Sequence, residues 1–335
     1  MAILSKEIGI DLGTMYIRAA EGGRIVLEEP TVAAIVVEEQ KMVAWGREAL
    51  DMLGRVPDSI EVVRPLRNGV IADYEVTETM LRYLLQKICG PLRVFPPQVM
   101  VTLPDNVTSV ERRAVHEAAM QAAKRDVFLI QQPLAAALGI DLPIGTPSGN
   151  AILCLGGGTT QAAVLAMYGI VAGETLRMGG MQLDEAIVSY VRKKYGLIIG
   201  QQTAEQVKIK IGAAVPLDEE QSMEIQGQDQ VTGLPRPITL TTGETVDAME
   251  EILRAMVETV RRVLEKTPPE LVSDIIDRGV ALCGGTALLR GIDRMMTKEL
   301  GVPVYLVDNP TTCVAEGASR GLRMREALRR NLPAV

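Results

Sequence analysis

Two segments rich in glycine and threonine have the composition of phosphate-binding turns. The first, Asp11-Leu12-Gly13-Thr14, ends the apolar run 8–12, and the second, Gly156-Gly157-Gly158-Thr159-Thr160, follows the apolar run 152–155. Another apolar run leaves each turn, so each segment is predicted to join two strands. Glycine lets backbone N–H groups approach an anion closely, and threonine adds a hydroxyl. Two such hairpins that face each other would hold a polyphosphate from both sides.

The two copies differ in charge. Asp11 of the first copy corresponds to Cys154 of the second, so only one hairpin carries a carboxylate. A third glycine-rich segment, Gly284-Gly285-Thr286-Ala287, follows the strand-like run 279–282 and leads into a helix-like stretch. A tight turn that needs glycine explains any one of these segments alone. The three in this order favour a phosphate site.

At these residues the chain resembles the superfamily of actin, heat-shock chaperones and sugar kinases, and within it the bacterial actin family MreB. The resemblance extends to 204–212, 267–271, 277–279 and 309–315, and so covers nearly the whole chain. It implies an α/β, two-lobed actin-like fold in which duplicated ribonuclease-H-like domains enclose a nucleotide cleft. It also implies cytoskeletal filaments of identical subunits that lie under the cytoplasmic membrane and organise cell shape or wall synthesis with partner proteins.

A cluster of proline, glycine and serine at 142–150 separates two halves that each begin with a phosphate hairpin. By resemblance, a C-terminal helix over 312–335 returns to the first half. The polar segment 216–237 is predicted to be an exposed excursion. The expected partition is domain I at 1–144, with a small outer subdomain at about 33–65, and domain II at 145–311, with an outer subdomain at about 180–240.

Strand-like runs alternate with helical patterns along the chain, as in α/β proteins. The clearest helix covers 244–265, where apolar residues recur every three or four positions, and Pro268 ends it. Another helix over 183–195 is predicted to end at Gly196. The strand-like runs are 7–12, 99–103, 151–155, 279–282 and 302–307.

The resemblance assigns roles to individual residues. Asp11 would hold Mg²⁺ through water, and Asp11, Gln132 and Thr159 are the catalytic candidates. Glu205 and Lys208, three residues apart on a helix that Thr203 would cap, would meet the ribose and adenine of ATP or ADP; an exposed salt bridge is the alternative for that pair. The full set of nucleotide-binding candidates is Gly13, Thr14, Met15, Tyr16, Gly156, Gly157, Gly158, Thr159, Glu205, Lys208, Gly284, Gly285, Thr286 and Ala287.

The chain departs from the family where charge matters. Cys154 stands where MreB has aspartate, Gln161 where it has glutamate, and Gln131-Gln132 replace two glutamates. Gln132 can still orient a water molecule but cannot accept its proton. We therefore expect a weak or inactive ATPase.

The size of some side chains in the glycine-rich segments also differs from the family pattern. Met15-Tyr16 replace a small pair, and Thr286 replaces the third glycine of the adenine loop. Tyr16 would stack on the nucleotide, donate to a phosphate, or fill the site. Thr286 adds a Cβ where a base edge would approach.

The loop 89–97 is a second candidate site. It holds the apolar residues Leu92, Val94 and Phe95 beside Arg93. In MreB a loop at this place inserts into the membrane, so these three side chains are the insertion candidates and Arg93 would meet anionic headgroups. The alternative is that Phe95 packs inward against the helix 76–88.

Composition excludes several classes of function. A formal net charge of −7 and only 3% aromatic residues argue against a nucleic-acid surface. His116 is the only histidine, which argues against Ser-His-Asp and Cys-His hydrolase centres. The cysteines lack CxxC spacing, so we expect buried thiols in a reducing cytosol rather than zinc ligands; they are Cys89, Cys154, Cys283 and Cys313.

The expected location is cytoplasmic, at the inner face of the membrane. No apolar stretch approaches the length that spans a bilayer, and the N-terminal run 1–6 is too short for a secretory signal. Three alternatives to a weak MreB-like ATPase stay open at this point: a fully active MreB ATPase, a nucleotide-free scaffold of the same fold, and a sugar or acetate kinase.

Overall fold

The computed structural model describes residues 5–90 and 96–334. Leu92, Val94 and Phe95, the expected membrane loop, lie outside the described residues. The strands are β1 Glu7–Leu12, β2 Tyr16–Glu21, β3 Arg24–Pro30, β4 Ala33–Val36, β5 Lys41–Trp45, β6 Ile60–Val63, β7 Leu66–Arg67, β8 Val70–Ile71, β9 Gln98–Leu103, β10 Val127–Gln131, β11 Asn150–Leu155, β12 Thr160–Ala166, β13 Gly169–Leu176, β14 Leu197–Ile198, β15 Ser222–Asp229, β16 Pro235–Thr241, β17 Val280–Cys283 and β18 Val304–Leu306.

A 3-10 helix at Gly285–Leu288 accompanies the α-helices, and clear capping residues mark the ends of some of them. Thr108 and Glu111 form the capping box that starts the third helix, and Gly196, with a positive φ of 64°, ends the fifth. The α-helices are α1 Arg47–Met52, α2 Tyr74–Cys89, α3 Ser109–Ala123, α4 Gln132–Gly139, α5 Gly180–Tyr195, α6 Gln201–Ile211, α7 Thr242–Lys266, α8 Pro269–Arg278, α9 Ile292–Leu300, α10 Cys313–Arg323 and α11 Arg325–Leu328.

Two five-stranded sheets share one topology. The first has the order β3-β2-β1-β9-β10 and the second β13-β12-β11-β17-β18. In each sheet the first three strands are antiparallel and the last two join in parallel. The sequence repeat is therefore also a repeat of structure, and we call residues up to 144 the first half and 145–311 the second half.

The central strands are buried on both faces, which explains their nearly continuous apolar runs. All residues of β11 and β12 are buried, as are five of the six residues of β1. A core cluster that includes Met100 and Ile130 of the first sheet and Ile152 and Leu165 of the second lies between the halves. This shared core places the ends of β1 and β11 close together.

The C-terminal helix α10 returns to the first half and packs on α4 and β1. The approach is close because glycines line it: a Cβ on Gly317 would lie 1.7 Å from the carbonyl oxygen of Ala135, and a Cβ on Gly139 would lie 1.9 Å from that of Cys313. The helix is shorter than the expected 312–335. It ends at Arg323, and the short α11 follows.

Two predictions from sequence concern the hairpin β15–β16 and the helix α6 of the second half. The segment 216–237, expected as an exposed excursion, is exposed or half-buried at every position except Ile225, and it contributes most of the hairpin β15–β16. The hairpin itself was not predicted, because its outward-facing positions are strongly polar and obscure the alternation of apolar and polar residues that is typical of strands. Helix α6 begins at Gln201 with Gly200 as its N-cap, so the prediction that Thr203 caps it was wrong. Glutamine is a good helix former, and glycine is accepted at an N-cap.

Candidate nucleotide cleft

A cavity of about 280 Å³ opens between the two halves. Both phosphate hairpins, helix α6 and the third glycine segment line it, and of the candidates from sequence only the buried Ala287 does not. The predicted residues in its wall are Asp11, Gly13, Thr14, Met15, Tyr16, Gln132, Cys154, Gly156, Gly157, Gly158, Thr159, Gln161, Glu205, Lys208, Gly284, Gly285 and Thr286.

The two hairpin turns face each other at contact distance. A Cβ on Gly158 would lie 2.6 Å from Oγ1 of Thr14, so glycine is required there. The hydroxyl of Thr14 accepts a hydrogen bond from the N–H of Gly69 at 3.0 Å. Its own proton is therefore available to a ligand in the cavity.

Met15 extends from the first hairpin onto the second. A Cβ on Gly157 would lie 2.1 Å from Cγ of Met15, so this side chain rests directly on the backbone of Gly157. Methionine is flexible and can move to another rotamer. Tyr16 lines the cavity beside it, with the guanidinium of Arg18 5.0 Å from its ring centre.

Asp11 is the buried carboxylate of the first hairpin. Its Oδ1 accepts hydrogen bonds from Oγ1 of Thr102 at 2.9 Å and from Nε2 of Gln132 at 3.2 Å. Within residues 5–90 and 96–334, no hydrogen bond reaches Oδ2. Burial raises the pKa of the Asp11 carboxyl, while the charge of Arg18 and the two hydrogen bonds oppose that rise.

These residues fit a magnesium nucleotide. Mg²⁺ is commonly held by one or two carboxylates together with substrate phosphates and water, and Oδ2 of Asp11 is a carboxylate oxygen that could accept a hydrogen bond from a water molecule bound to Mg²⁺. The described residues contain no group of three histidine, cysteine or acidic side chains that could hold a metal ion by itself. A Cβ would have no room at Gly13, Gly157 or Gly158, and without one a phosphate could approach the backbone N–H groups of these turns closely.

Comparison with known proteins gives the relationship of the chain. The family model described as MreB/Mbl protein matches residues 5–330. The chain belongs to this family. It is 45% identical to cell shape-determining protein Mbl of Bacillus cereus over 94% of the chain and 95% of the relative, and 43% identical to MreB of Escherichia coli K12 over 96% and 94%.

A solved structure extends the comparison to the fold. MreB5 of Spiroplasma citri, crystallised with AMPPNP, has a TM-score of 0.92, 32% identity, and coverage of 98% of this chain and 99% of that one. The two-lobed actin-like fold expected from sequence is confirmed. In the described part of this MreB/Mbl protein, no helix is both long enough and apolar enough to cross a bilayer.

Uncharged residues occupy the positions of the cleft where the resemblance predicts acidic residues. Cys154 pairs in register with Cys283 of the neighbouring strand β17, and their sulfur atoms lie 3.3 Å apart. The contact with Cys154 and burial raise the pKa of the Cys283 thiol well above its usual value, and Cys313 opposes the rise. Cys154, Cys283 and Cys313 are buried and Cys89 is partly exposed, and no carboxylate faces Asp11 from β11.

Two glutamines connect the halves at the floor of the cleft. Gln161 of β12 accepts a hydrogen bond from the N–H of Asp105 at 3.0 Å, and its Nε2 donates to Oε1 of Gln132. The same Nε2 lies 3.3 Å from Oγ1 of Thr159. Two of the three catalytic candidates, Gln132 and Thr159, are therefore bonded to Gln161.

Thr286 and the helix α6 form the other wall. The hydroxyl of Thr286 donates to the carbonyl of Gly156 at 2.8 Å, so it joins the third glycine segment to the second phosphate hairpin. Lys208 does not pair with Glu205; its Nζ lies 2.8 Å from Oδ1 of Asp184 and donates to the carbonyl of Gly180 at 2.9 Å. The exposed salt bridge considered from sequence is thus not formed.

Some cleft residues were missed from sequence. Asp184, which contacts Lys208 but does not itself line the cavity, was also missed, although a charged residue between the buried Leu183 and Ile187 of α5 is a signal that it has a buried partner. The others carry less local signal, because their place in the cleft depends on tertiary packing. They are Arg18, Gly69, Gly180, Met181, Ile209, Pro310, Thr311 and Val314.

We expect Asp184→Asn to change how stability depends on pH. Burial raises the pKa of Asp184 from 3.8 to about 6, against the opposing charge of Lys208. Between these values the folded state binds a proton that the unfolded state releases. The contribution of Asp184 to the free energy of unfolding therefore falls by about 2–3 kcal/mol as the pH rises through this window, and the variant lacks that fall.

The measurement is denaturant unfolding of both proteins at about pH 4.5 and about pH 7. The lost contact with Lys208 changes the stability of the variant at both pH values, so only the pH-dependent part is compared. Asp126→Asn, at an exposed position, is the control. A difference in stability between parent and Asp184→Asn that is the same at both pH values would contradict the prediction.

Proposed function

We propose that this protein is a cytoskeletal filament subunit of the MreB/Mbl type that binds ATP and ADP with Mg²⁺ and hydrolyses ATP slowly. One observation carries the proposal. Two phosphate hairpins face each other across one cavity, with Asp11 as the carboxylate of the hairpins, while uncharged Cys154, Gln132 and Gln161 occupy the positions where the family resemblance places acids. The cavity keeps the groups expected to bind phosphate and Mg²⁺, whereas the groups that would accept a proton from the attacking water are replaced by uncharged ones.

Relatives support the role in the cell and the ligand. The Bacillus and Escherichia relatives are cell shape-determining proteins, and the Spiroplasma structure contains AMPPNP. We infer that identical subunits of this protein form filaments at the inner face of the cytoplasmic membrane, and that they act with proteins of cell shape and wall synthesis. The family match over 5–330 leaves no support for a sugar or acetate kinase.

The cleft residues would bind the nucleotide as follows. Backbone N–H groups of the two glycine turns and the hydroxyl of Thr14 would donate to phosphate oxygens, and Lys208 and Glu205 would border the sugar and base. Bound Mg²⁺ would neutralise phosphate charge. Gln132 would orient water without taking its proton, because an amide oxygen is a very weak base.

We expect Mg-ATP to raise the melting temperature and the protein to form filaments or sheets. Ligand binding to the folded state alone must stabilise it, by about 2.7 kcal/mol at a hundred times the dissociation constant. Thermal unfolding with and without Mg-ATP measures the shift in melting temperature. Electron microscopy at several protein concentrations tests for filaments or sheets. Polymers without any thermal shift would identify a nucleotide-free scaffold, and a monomer under all conditions would exclude the filament.

Membrane binding is proposed to depend on Leu92 and Phe95. Burial of these two side chains contributes about 3–5 kcal/mol at most, so a single subunit would bind weakly and a filament strongly. We expect the double variant Leu92→Ser, Phe95→Ser to lose co-sedimentation with anionic liposomes. The control is Val231→Ser, Leu234→Ser, at positions that are 94% and 65% exposed. If the first variant binds as the parent does, the loop is not the anchor.

A further inference from the structure

Gln161 is a buried residue of the second half with both amide atoms bonded to the first half. It lies on β12 and is 1% exposed. Its oxygen accepts from the N–H of Asp105, which follows β9, and its nitrogen donates to Gln132, the first residue of α4. The side chain therefore crosses the floor of the cleft.

The backbone of Asp105 fixes the direction of this hydrogen-bond chain. A backbone N–H can only donate, so the oxygen of Gln161 must point toward Asp105 and its NH₂ group toward Gln132. Gln132 must then accept through its oxygen, which turns its NH₂ group toward Oδ1 of Asp11 at 3.2 Å. Neither amide can flip without the loss of two buried hydrogen bonds.

This arrangement restricts the rotation of the Gln132 side chain, which is the group that would orient the attacking water. The acceptor of Gln132 is its single side-chain oxygen, and one of the two lone pairs of that oxygen already accepts a hydrogen bond from Gln161. The amide of Gln132 is also held at its other end by Asp11, and the residue is 9% exposed. A side chain held at both ends cannot turn its oxygen toward a phosphate. A carboxylate at position 161 would have no N–H to donate to the oxygen of Gln132 and so could not restrain it.

We propose that Gln161 is a positioning residue that restrains Gln132 and thereby slows hydrolysis. The inference rests on the proposed function, because it concerns regulation of the same cleft. Any movement of the halves that separates Gln161 from Gln132 releases the oxygen of Gln132. Gln161 thus links the arrangement of the two halves to the rate of hydrolysis.

Two substitutions at position 161 distinguish the release of Gln132 from the addition of a new general base. Gln161→Ala removes the hydrogen bonds to Asp105, Gln132 and Thr159 and adds no base, whereas Gln161→Glu keeps an acceptor for Asp105 and removes the donor to Gln132 and Thr159. We expect either variant to raise kcat for phosphate release about tenfold, with a change in KM for ATP of less than about threefold, since an oriented catalytic group contributes about 10²–10⁴-fold when fully effective. Gln132→Ala in the Gln161→Ala background should remove the gain.

Hydrogen exchange gives a readout that does not depend on turnover. The N–H of Asp105 is protected by Gln161 in the parent, so its exchange should accelerate in Gln161→Ala and stay slow in Gln161→Glu. Gln121→Glu, at an exposed position on α3, controls for added charge. A melting temperature close to that of the parent shows that each variant is folded.

The outcomes distinguish this inference from the proposed function. If Mg-ATP stabilises the parent and both variants but kcat does not rise in Gln161→Ala, the restraint is overturned and the proposed function stands. A rise only in Gln161→Glu that persists with Gln132→Ala also overturns it, because the new carboxylate then acts as the base. If Mg-ATP stabilises none of the proteins, the proposed function fails and the inference fails with it.

Discussion

Cys154→Asp should raise the rate of phosphate release from ATP, and Cys154→Asp with Gln132→Glu should raise it by about 10²-fold over the parent. In the parent, Asp11 is the carboxylate of the paired hairpins, and β11 presents an uncharged thiol to the cavity. A second carboxylate would help to hold the hydrated Mg²⁺, and the glutamate would accept the proton of the attacking water. The gains should combine, although not additively.

The same substitution should destabilise the protein when no magnesium nucleotide is bound. Position 154 is 6% exposed and faces Cys283, so a carboxylate there is buried without a cation. We expect Cys154→Asp to have a lower melting temperature than the parent and a larger increase on addition of Mg-ATP. The control is Cys154→Asn, because asparagine has the shape of aspartate without its charge. It should show neither the increase in the rate of phosphate release nor the larger rise in melting temperature with Mg-ATP.

Steady-state phosphate release and thermal unfolding measure these effects. If the parent already hydrolyses ATP as fast as the double variant, the loss of acidic residues does not slow this protein. If the nucleotide binds but neither variant is faster, the obstruction lies in bulk rather than charge, and Tyr16 and Thr286 are the positions to reduce next.

The parts of the fold that were predictable from sequence carry their information locally. Each phosphate hairpin has its glycines and threonines between two apolar runs, so both turns and both strand pairs could be placed without a structure. The helix expected at 244–265 is α7, Thr242–Lys266, because its apolar residues recur at helical spacing over many turns and Thr241 caps it. The repeated segments also indicated a duplicated fold.

The cleft contacts depend on residues far apart in the chain, and these were not predictable. Lys208 was expected to face Glu205 or the nucleotide, but it binds Asp184 on another helix. Gln161 was noted for its missing charge only, since nothing local shows that the N–H of Asp105, 56 positions away, fixes its amide. Local patterns identify a site, whereas tertiary packing decides which of its atoms already have partners.

Asp11→Asn should have opposite effects on stability and on ligand binding. Burial raises the pKa of Asp11, so the ionised carboxylate is disfavoured in the folded state at pH values above that pKa. The amide keeps an oxygen for Thr102 and Gln132 and places its NH₂ group at Oδ2, where the parent has no hydrogen bond within the described residues. Without nucleotide, the variant should therefore melt at the same temperature as the parent or above it.

The variant should nevertheless lose magnesium-dependent nucleotide binding. An amide has no charge to hold hydrated Mg²⁺, and we expect the affinity for Mg-ATP to fall by about 10²-fold. At an ATP concentration where the parent gains about 2.7 kcal/mol, the variant would then gain only about 0.4 kcal/mol. Thermal unfolding with ATP in the presence of Mg²⁺, and again in the presence of a chelator, separates the contribution of the metal from that of the nucleotide.

Asp126→Asn, at an exposed position outside the cleft, provides the comparison and should respond to Mg-ATP as the parent does. An unchanged response in Asp11→Asn would show that Asp11 does not hold the metal. A lower melting temperature without nucleotide would show that the carboxylate stabilises the folded state, contrary to the direction of its pKa shift. The expected pair of results, an equal or higher melting temperature and a lost response, identifies a carboxylate that serves ligand binding at the expense of stability.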